Sequence, residues 1–390
     1  MTNTQKLIFG KGSIRKLAEE VKEIIGKKAR IFLVTDKGIE KAGLLDKAKT
    51  SLNNEEFEVT VFDDITGEPT IETMRKASTA LKEAKSNIVI GIGGGSVLDT
   101  AKAAAIMATN SGDISQYFEP AEKKIKQKPL PKILVPTTAG TGSETSPEIV
   151  AIDVEKSAKI FIADPATIAD VAIVDPLMTV TCPPKQTAAS GMDALAHAVE
   201  CFLVSKPTPL TDAYALHAVK LIAENLREAY HHGDDVEARY NMSIAATLGG
   251  MCMVLIPCNI GHCVSEAIGV KYNIPHGISC SLVIPYQMEY NLPVCMERLA
   301  SLAGYLGANT CGCSVRDAAK KAVDAVKTLI EDIELPKGLK EVNIPKADIP
   351  KLAEYLVNKR QYEYELPVWN PRKLTMENVT ELLEKAWEGF

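Results

Sequence analysis

The stretch IVIGIGGGSVLDTAK, residues 88 to 102, narrows the choice of fold more than any other part of the chain. A short β-branched run without polar alternation suits a strand buried on both faces, the situation of a parallel sheet covered by helices. It ends in glycines and passes directly into a helical pattern, as a βα unit does. The same grammar recurs from residue 1 to about 180. Strands are expected at RIFLVTD (30 to 36), FEVTVF (57 to 62), NIVIGIG (87 to 93), KILVP (132 to 136) and VAIVD (171 to 175), with helices near 71 to 84 and 97 to 109. Ser13 reads as the N-cap of a first helix carrying Ile14, Leu17, Val21, Ile24 and Ile25, which Gly26 ends. After the proline-marked TCPPKQ (181 to 186) strand signals almost stop. Helix-compatible stretches take over at 187 to 203, 209 to 229, 235 to 253, 294 to 305, 315 to 332 and 376 to 389. The expected architecture is α/β plus all-α: a doubly wound domain over 1–180 and a helical domain over 181–390, with no fixed-period repeat to suggest another boundary.

Composition restricts the partners. A formal charge of -6 over 390 residues, with no basic block, argues against nucleic acid and for small molecules. The start, MTNTQKLIFGKGS, has no apolar run behind a basic head, and MCMVLIPCNIG falls well short of the roughly 20 residues of a membrane span. A cytoplasmic protein without a membrane segment is expected. The nine cysteines are odd in number and lack paired CxxC spacing, so most read as buried free thiols; the close pair Cys311 and Cys313 is given no role.

Two glycine-bearing loops carry the first chemical signal. In GIGGGSVLDTAK the glycines let backbone approach a phosphate and the helix start, which Ser96 can cap, complements its charge; a tight strand-to-helix turn would look the same. PTTAGTGSE (136 to 144) also follows a strand and offers the hydroxyls of Thr137, Thr138 and Thr141. Two such loops at the carboxyl ends of strands suit a dinucleotide. Asp36 ends RIFLVTD, where a carboxylate accepts from an adenosine ribose and repels a 2'-phosphate, or simply caps the next helix; with both loops present, NAD is preferred to NADP.

The second signal is a set of possible metal ligands. Asp193 and His197 in SGMDALAHAVECF are four apart on one helical face, although an interior Asp/His pair would have the same spacing. His262 and His276, in HCVSEAIGVKYNIPHG, supply two more imidazoles, with PHG reading as a turn. One carboxylate and three neutral imidazoles suit Fe²⁺, Zn²⁺ or another divalent ion and leave a position for a substrate oxygen. His217, His231 and His232 read as packing or surface residues.

These residues resemble the iron-containing (group III) alcohol dehydrogenase family over nearly the whole chain. GIGGGSVLDTAK looks like its GGGSxxDxxK element, PTTAGTGSE its second loop and GMDALAHAVE its first metal segment; PLTDAYAL and NPRKLT are similar to further stretches. The resemblance implies an N-terminal dinucleotide-binding domain, a C-terminal helical metal domain, and hydride exchange between NAD(H) or NADP(H) and an alcohol or aldehyde in the cleft between them. It implies that Asp193, His197, His262 and His276 hold the metal. Gly94, Gly95, Ser96 and Asp99 fall in the diphosphate element, Thr137, Thr138 and Thr141 match cofactor-contacting positions, Lys159 resembles a lysine reaching the nicotinamide side, and Asp36 takes the position associated with NAD preference. A homodimer or higher homo-oligomer is the family expectation.

Two departures stand out. Where the family commonly has HxxxH, HCVSE puts Glu266 in place of a proton-relay histidine; where many members have NPT, GEPT puts Glu68 near the cofactor. Glu266 is open to three readings: a catalytic relay, a residue ordering the metal or its water, or a structural and substrate-selecting group. Unless a cation offsets it, its charge favours a small neutral alcohol or aldehyde. The resemblance also admits a hydroxyacid-oxoacid transhydrogenase, a glycerol dehydrogenase type, a dehydroquinate-synthase-like lyase, and a catalytically silent NAD- and metal-binding module.

Overall fold

The computed structural model describes residues 4–52 and 56–390, in two compact units, Met1–Cys182 and Pro183–Phe390. In the first, six parallel strands form one sheet in the order β1-β8-β5-β4-β2-β3, built from β1 (Lys6–Phe9), β2 (Arg30–Val34), β3 (Glu58–Phe62), β4 (Ile88–Gly93), β5 (Lys132–Pro136) and β8 (Val171–Val174). Side-chain alternation splits the core into two layers. Ile31, Leu33, Ile90, Ile133 and Ile173 pack with α1 (Leu17–Ile24) and α3 (Leu44–Leu52), while Phe32, Val34, Val89 and Leu134 pack with α4 (Ile71–Glu83) and α5 (Gly95–Thr109). Helices on both faces make this half doubly wound. The short α2 (Lys37–Lys41) follows β2 directly.

Three features differ from expectation. β1 is a strand of four residues, too short for its sequence pattern to announce, and it pairs with β8 at the sheet edge. β6 (Glu148–Asp153) and β7 (Ala158–Ala163) form an antiparallel ribbon whose Ile149, Ala151 and Ile162 pack on Ala103, Ile106 and Met107 of α5. Ser13 lies inside a 3-10 turn capped by Gly12, and its hydroxyl donates to the Val174 carbonyl across the sheet.

Among the described residues the second unit contains helices and no strand. α6 (Pro184–Phe202), α7 (Pro209–His231) and α8 (Val236–Met253) come first. α9 (Ile260–Tyr272), α10 (His276–Asn291), α11 (Met296–Tyr305) and α12 (Val315–Asp332) follow. α13 (Ile349–Tyr355) runs into a π-helical turn, Leu356–Arg360, and then α14 (Gln361–Glu363), α15 (Leu366–Trp369) and α16 (Met376–Glu388). The helices α6, α9 and α10 carry the carboxylate and imidazoles that converge below. No helix among the described residues is long and apolar enough to cross a membrane.

PHG is the start of a helix rather than a turn: Pro275 is the N-cap and His276 the first residue of α10. Proline suits this boundary because it sets φ without needing its own N–H. Gly277 is required by proximity, since a Cβ there would collide with the Ala189 carbonyl oxygen of α6. The glycine thus brings α10 against α6, and His276 towards Asp193.

Candidate functional site

In the first unit the chain order reverses between the adjacent strands β2 and β4, and β5 lies on the other side of β4. Such a switch point is where open α/β sheets bind ligands beyond their strand ends. Asp36, the glycine loop and Thr137 follow these three strands. A Cβ on Gly95 would approach Thr141 Cγ2 to 2.6 Å and one on Gly94 would lie 3.4 Å from Thr138 Oγ1, so the two loops meet at backbone-to-side-chain distance. The N-cap of α5 is Gly94, with no side-chain cap bond; Ser96 is inside the helix and does not cap it. A helix start left to its backbone N–H groups suits an anion. Thr137 Oγ1 is buried without a hydrogen-bond partner among the described residues, so the loops hold polar capacity the protein does not use, as a cofactor site requires.

The other expected residues have clear places. Asp36 Oδ1 accepts from the backbone N–H groups of Gly38 and Ile39 at 2.7 and 3.0 Å, capping α2. Asp99 is buried, and its carboxylate accepts from Ser143 Oγ at 2.6 Å and Val150 N at 3.0 Å. It lies 3.7 Å from Lys102 Nζ, which donates to the carbonyls of Ser146 and Glu148. Asp99 therefore ties α5 to the second loop and the β6-β7 ribbon. Lys159 and Glu68, singled out separately in the sequence, form an ion pair at 2.8 Å. This gives the departure at Glu68 a partner.

In the second unit α6, α9 and α10 bring the four expected metal ligands together. Asp193 Oδ1 lies 3.7 Å from His197 Nε2, 3.6 Å from His262 Nε2 and 3.3 Å from His276 Nε2. Donors around a tetrahedral ion with bonds of roughly 2.0–2.1 Å stand roughly 3.3–3.4 Å apart, so the spacing fits a divalent metal. The rings of His197 and His262 stack with centroids 4.6 Å apart. His276 retains 22% side-chain exposure against 4–6% for the other three, so the cluster meets solvent on the His276 side. Neither His231 nor His232 joins it: their rings bond Asp332 O and Glu228.

Electrostatics point the same way. Burial pushes the Asp193 carboxyl up, but His197 and His276 outweigh it and hold it well below the usual carboxylate range. Burial dominates at His197, with His262 and His276 adding repulsion against the pull of Asp193, and its imidazole is pushed down to about 4. It is neutral at pH 7, the form that binds metals. At His262 burial is outweighed by Cys258, Glu200 and Cys280, which raise it well above its ordinary value. A site that draws positive charge inward in this way suits a cation.

Glu200, Cys258 and Cys280 carry no expectation from the sequence. Glu200 Oε1 accepts from His262 Nδ1 at 2.8 Å, which leaves Nε2 facing the cluster, and Glu200 Oε2 accepts from Asn259 N at 2.6 Å. This is the outer-sphere carboxylate–histidine arrangement of metal sites. Gly261 makes room for it, since a Cβ there would collide with Glu200 Oε1. All nine cysteines are free thiols, and two lie beside the cluster: Cys280 groups with Asp193, His262 and His276, and Cys258 with His197 and His262. Burial pushes the Cys280 thiol up, and His276 and His262 pull it below its ordinary value. Glu200 is three residues beyond His197 and Cys280 four beyond His276, so helical spacing alone could have found both.

Glu266 lies one turn after His262 on α9. Its Oε2 accepts from Arg360 Nη2 at 2.6 Å, Arg360 Nη1 donates to Glu363 at 2.6 Å, and the half-buried Tyr364 also hydrogen-bonds Glu266. Arg360 is therefore a cation that offsets the charge of Glu266. With two carboxylates on one guanidinium, however, the group retains a formal negative charge and no spare cation for an anionic substrate.

The residues that match known proteins cover both units. Residues 4–176 match the family described as iron-containing alcohol dehydrogenase, and residues 187–387 the C-terminal part of the Fe-containing alcohol dehydrogenase family. Long-chain-alcohol dehydrogenase 1 of Geobacillus thermodenitrificans is 34% identical over 97% of this chain and 94% of its own length. For 1,3-propanediol dehydrogenase of Citrobacter freundii the values are 35%, 97% and 96%. The structure of an alcohol dehydrogenase from Oenococcus oeni superposes with a TM-score of 0.92 at 33% identity, covering 99% of both chains. Two matched family regions and end-to-end relatives, on a fold with the expected ligand cluster, place this chain in the iron-containing alcohol dehydrogenase family.

Proposed function

We propose that the protein is a metal-dependent, NAD-linked alcohol dehydrogenase or aldehyde reductase acting on a small neutral alcohol or aldehyde. The observation that carries this is the convergence of Asp193, His197, His262 and His276, four residues from three helices, at donor spacing. When bound, Fe²⁺ or Zn²⁺ supplies Lewis acidity toward the substrate oxygen, and NAD(H) accepts or supplies the hydride. Asp193 and the imidazoles hold the ion, and Glu200 orients His262. In the first unit Gly94, Gly95 and Ser96 present backbone to the diphosphate, while Thr137, Thr138 and Thr141 line the groove and Lys159 serves the nicotinamide side. Asp99 acts by bracing the loops. Asp36 supports NAD over NADP because it follows β2 by two residues, with its carboxylate at the start of α2.

The Arg360 bond favours the structural and substrate-selecting reading of Glu266, because it commits Oε2 to a guanidinium within the protein. Neutral substrates fit a group without a spare cation. The setting we propose is a cytoplasmic homodimer or higher homo-oligomer, as the family resemblance suggests.

The test is anaerobic turnover by protein of known metal content, with NADH and NADPH, on neutral aldehydes and their carboxylated counterparts, for wild type and Glu266→Gln. Net NADH oxidation with neutral aldehydes is expected, and the pH profile of kcat/KM keeps its shape in Glu266→Gln. Absence of net NADH turnover by metal-loaded protein would refute the proposal; preference for the carboxylated series would remove the substrate assignment.

A further inference from the structure

Glu266 stands one turn beyond His262 on α9, so its Cβ is roughly 5–6 Å from that of a residue in the metal cluster. The neighbouring Ser265 is 3.5 Å from Cys280 Sγ, which in turn lies 3.7 Å from His276 Nε2, on the side where the cluster meets solvent. Tyr364, bonded to Glu266, also feels the charge of His262, which opposes the rise that burial and Glu266 impose on its hydroxyl. The group around Glu266 therefore borders the cluster.

Arg360 enters this group from the π-helical turn Leu356–Arg360. Such turns are rare and occur frequently at functional sites. The side chains of Arg360 and Glu266 retain only 4% and 9% exposure, while that of Glu363 retains 35%. A row of charges thus leads from the border of the cluster to the surface. Fold stability does not call for it, because apolar residues of similar volume commonly serve as well as a buried ion pair. Cys263, Val264 and Leu356 of the same segments do pack into an apolar core. One guanidinium against two carboxylates leaves the group a formal charge of -1.

We infer that Glu266, Arg360 and Glu363 together decide the charge class of the substrate. The two carboxylates occupy Nη2 and Nη1 from within the protein, so a substrate carboxylate or sulfonate finds net negative charge beside the metal cluster rather than a waiting guanidinium. Removing carboxylate charge converts the same group, stepwise, into one that accepts anions. The inference rests on the dehydrogenase reading above and gives its neutral-substrate part a cause in named residues. At an effective dielectric constant of about 20 and a separation of roughly 10 Å, one unit of charge shifts kcat/KM for an anionic substrate roughly 10–20-fold.

The experiment measures kcat/KM of the full-length, metal-loaded protein with NADH, for an aldehyde bearing a terminal carboxylate and for the methyl ester of the same molecule. Wild type is expected to prefer the ester. The acid-to-ester ratio rises roughly 10–20-fold in Glu266→Gln and rises again when Glu363→Gln is added. In Glu266→Asp, which keeps the charge, the ratio stays at the wild-type value. A purely structural Glu266 would alter both substrates together and leave the ratio still. Equal use of acid and ester by wild type overturns the inference without requiring any variant to fold. So does an unchanged ratio in a Glu266→Gln protein whose circular dichroism and metal content match wild type. Ester preference with that unchanged ratio removes this inference alone, whereas absence of NADH oxidation with either aldehyde removes the dehydrogenase reading as well.

Discussion

The two units each bury a constellation of ionisable groups, and the constellations are built on opposite plans. In the first, Asp99 and Lys102 close on each other and on nearby hydroxyl and backbone partners, Ser143 Oγ and Val150 N for the acid and two carbonyls for the base. Charge and hydrogen-bonding capacity are met inside the protein. In the second, Asp193, three imidazoles and a thiol converge on one another, and the hydrogen bond from His262 to Glu200 turns the remaining ring nitrogen into the cluster. A self-satisfied network is a brace; a converging one needs something placed at its centre. Burial is common to both, so burial of charge alone does not identify a site.

Loss of Asp193 tests the contrast most severely. Asp193→Ala is expected to abolish stoichiometric metal binding and to cost several kcal/mol of charge stabilisation, roughly 10³-fold in rate, with the fold retained by circular dichroism. Metal analysis and NADH oxidation check this, and full metal retention would break the comparison. Lys102→Met should do the reverse. It leaves Asp99 buried without its cation, at about 3–5 kcal/mol of stability by chemical denaturation, while the metal content is unchanged.

Glu200→Gln is the intermediate case. The neutral amide weakens the hold on His262, and metal affinity is expected to fall by roughly 10–100-fold in competition with a chelator. An unchanged affinity would make Glu200 a packing residue. The smallest effect concerns Lys132, which donates to Ala166 O and lies 3.7 Å from Asp170. Burial lowers its ammonium to about 8 from 10.5. Between these values the unfolded chain holds more protons than the native one, so native stability gains as pH rises from about 8 and is fully recovered above 10.5. The unfolding free energy of wild type relative to Lys132→Met should therefore increase across that window; a flat difference would show that the pair with Asp170 already cancels the cost of burial.

Particular residues show why some features could be read from the sequence and others not. β4 and its glycine loop were legible because a β-branched run, the glycines and the following helix are neighbours in the chain. Asp193 and His197 were legible because helical periodicity puts them on one face. Cys280 has the same spacing from His276, but the spacing of cysteines to one another does not reveal it. β1 was missed because four residues carry too little periodicity, and the β6-β7 ribbon because its strands matter chiefly through packing on α5. Ser13 and Ser96 looked like caps by residue type, but the positions where their helices begin were decided by the surrounding turns.

The sequence by itself determined the order of strands and helices, the change of architecture after the TCPPKQ segment, and the residue types available for cofactor and metal, because these depend on local periodicity and side-chain chemistry. Only the tertiary structure decided which charges cancel. It gave Lys159 to Glu68, Arg360 to Glu266 and Glu200 to His262, pairs separated by 91, 94 and 62 positions in the chain. The physical reason is that an ionised side chain is defined by the groups within a few ångströms of it, and at such separations the fold alone chooses them.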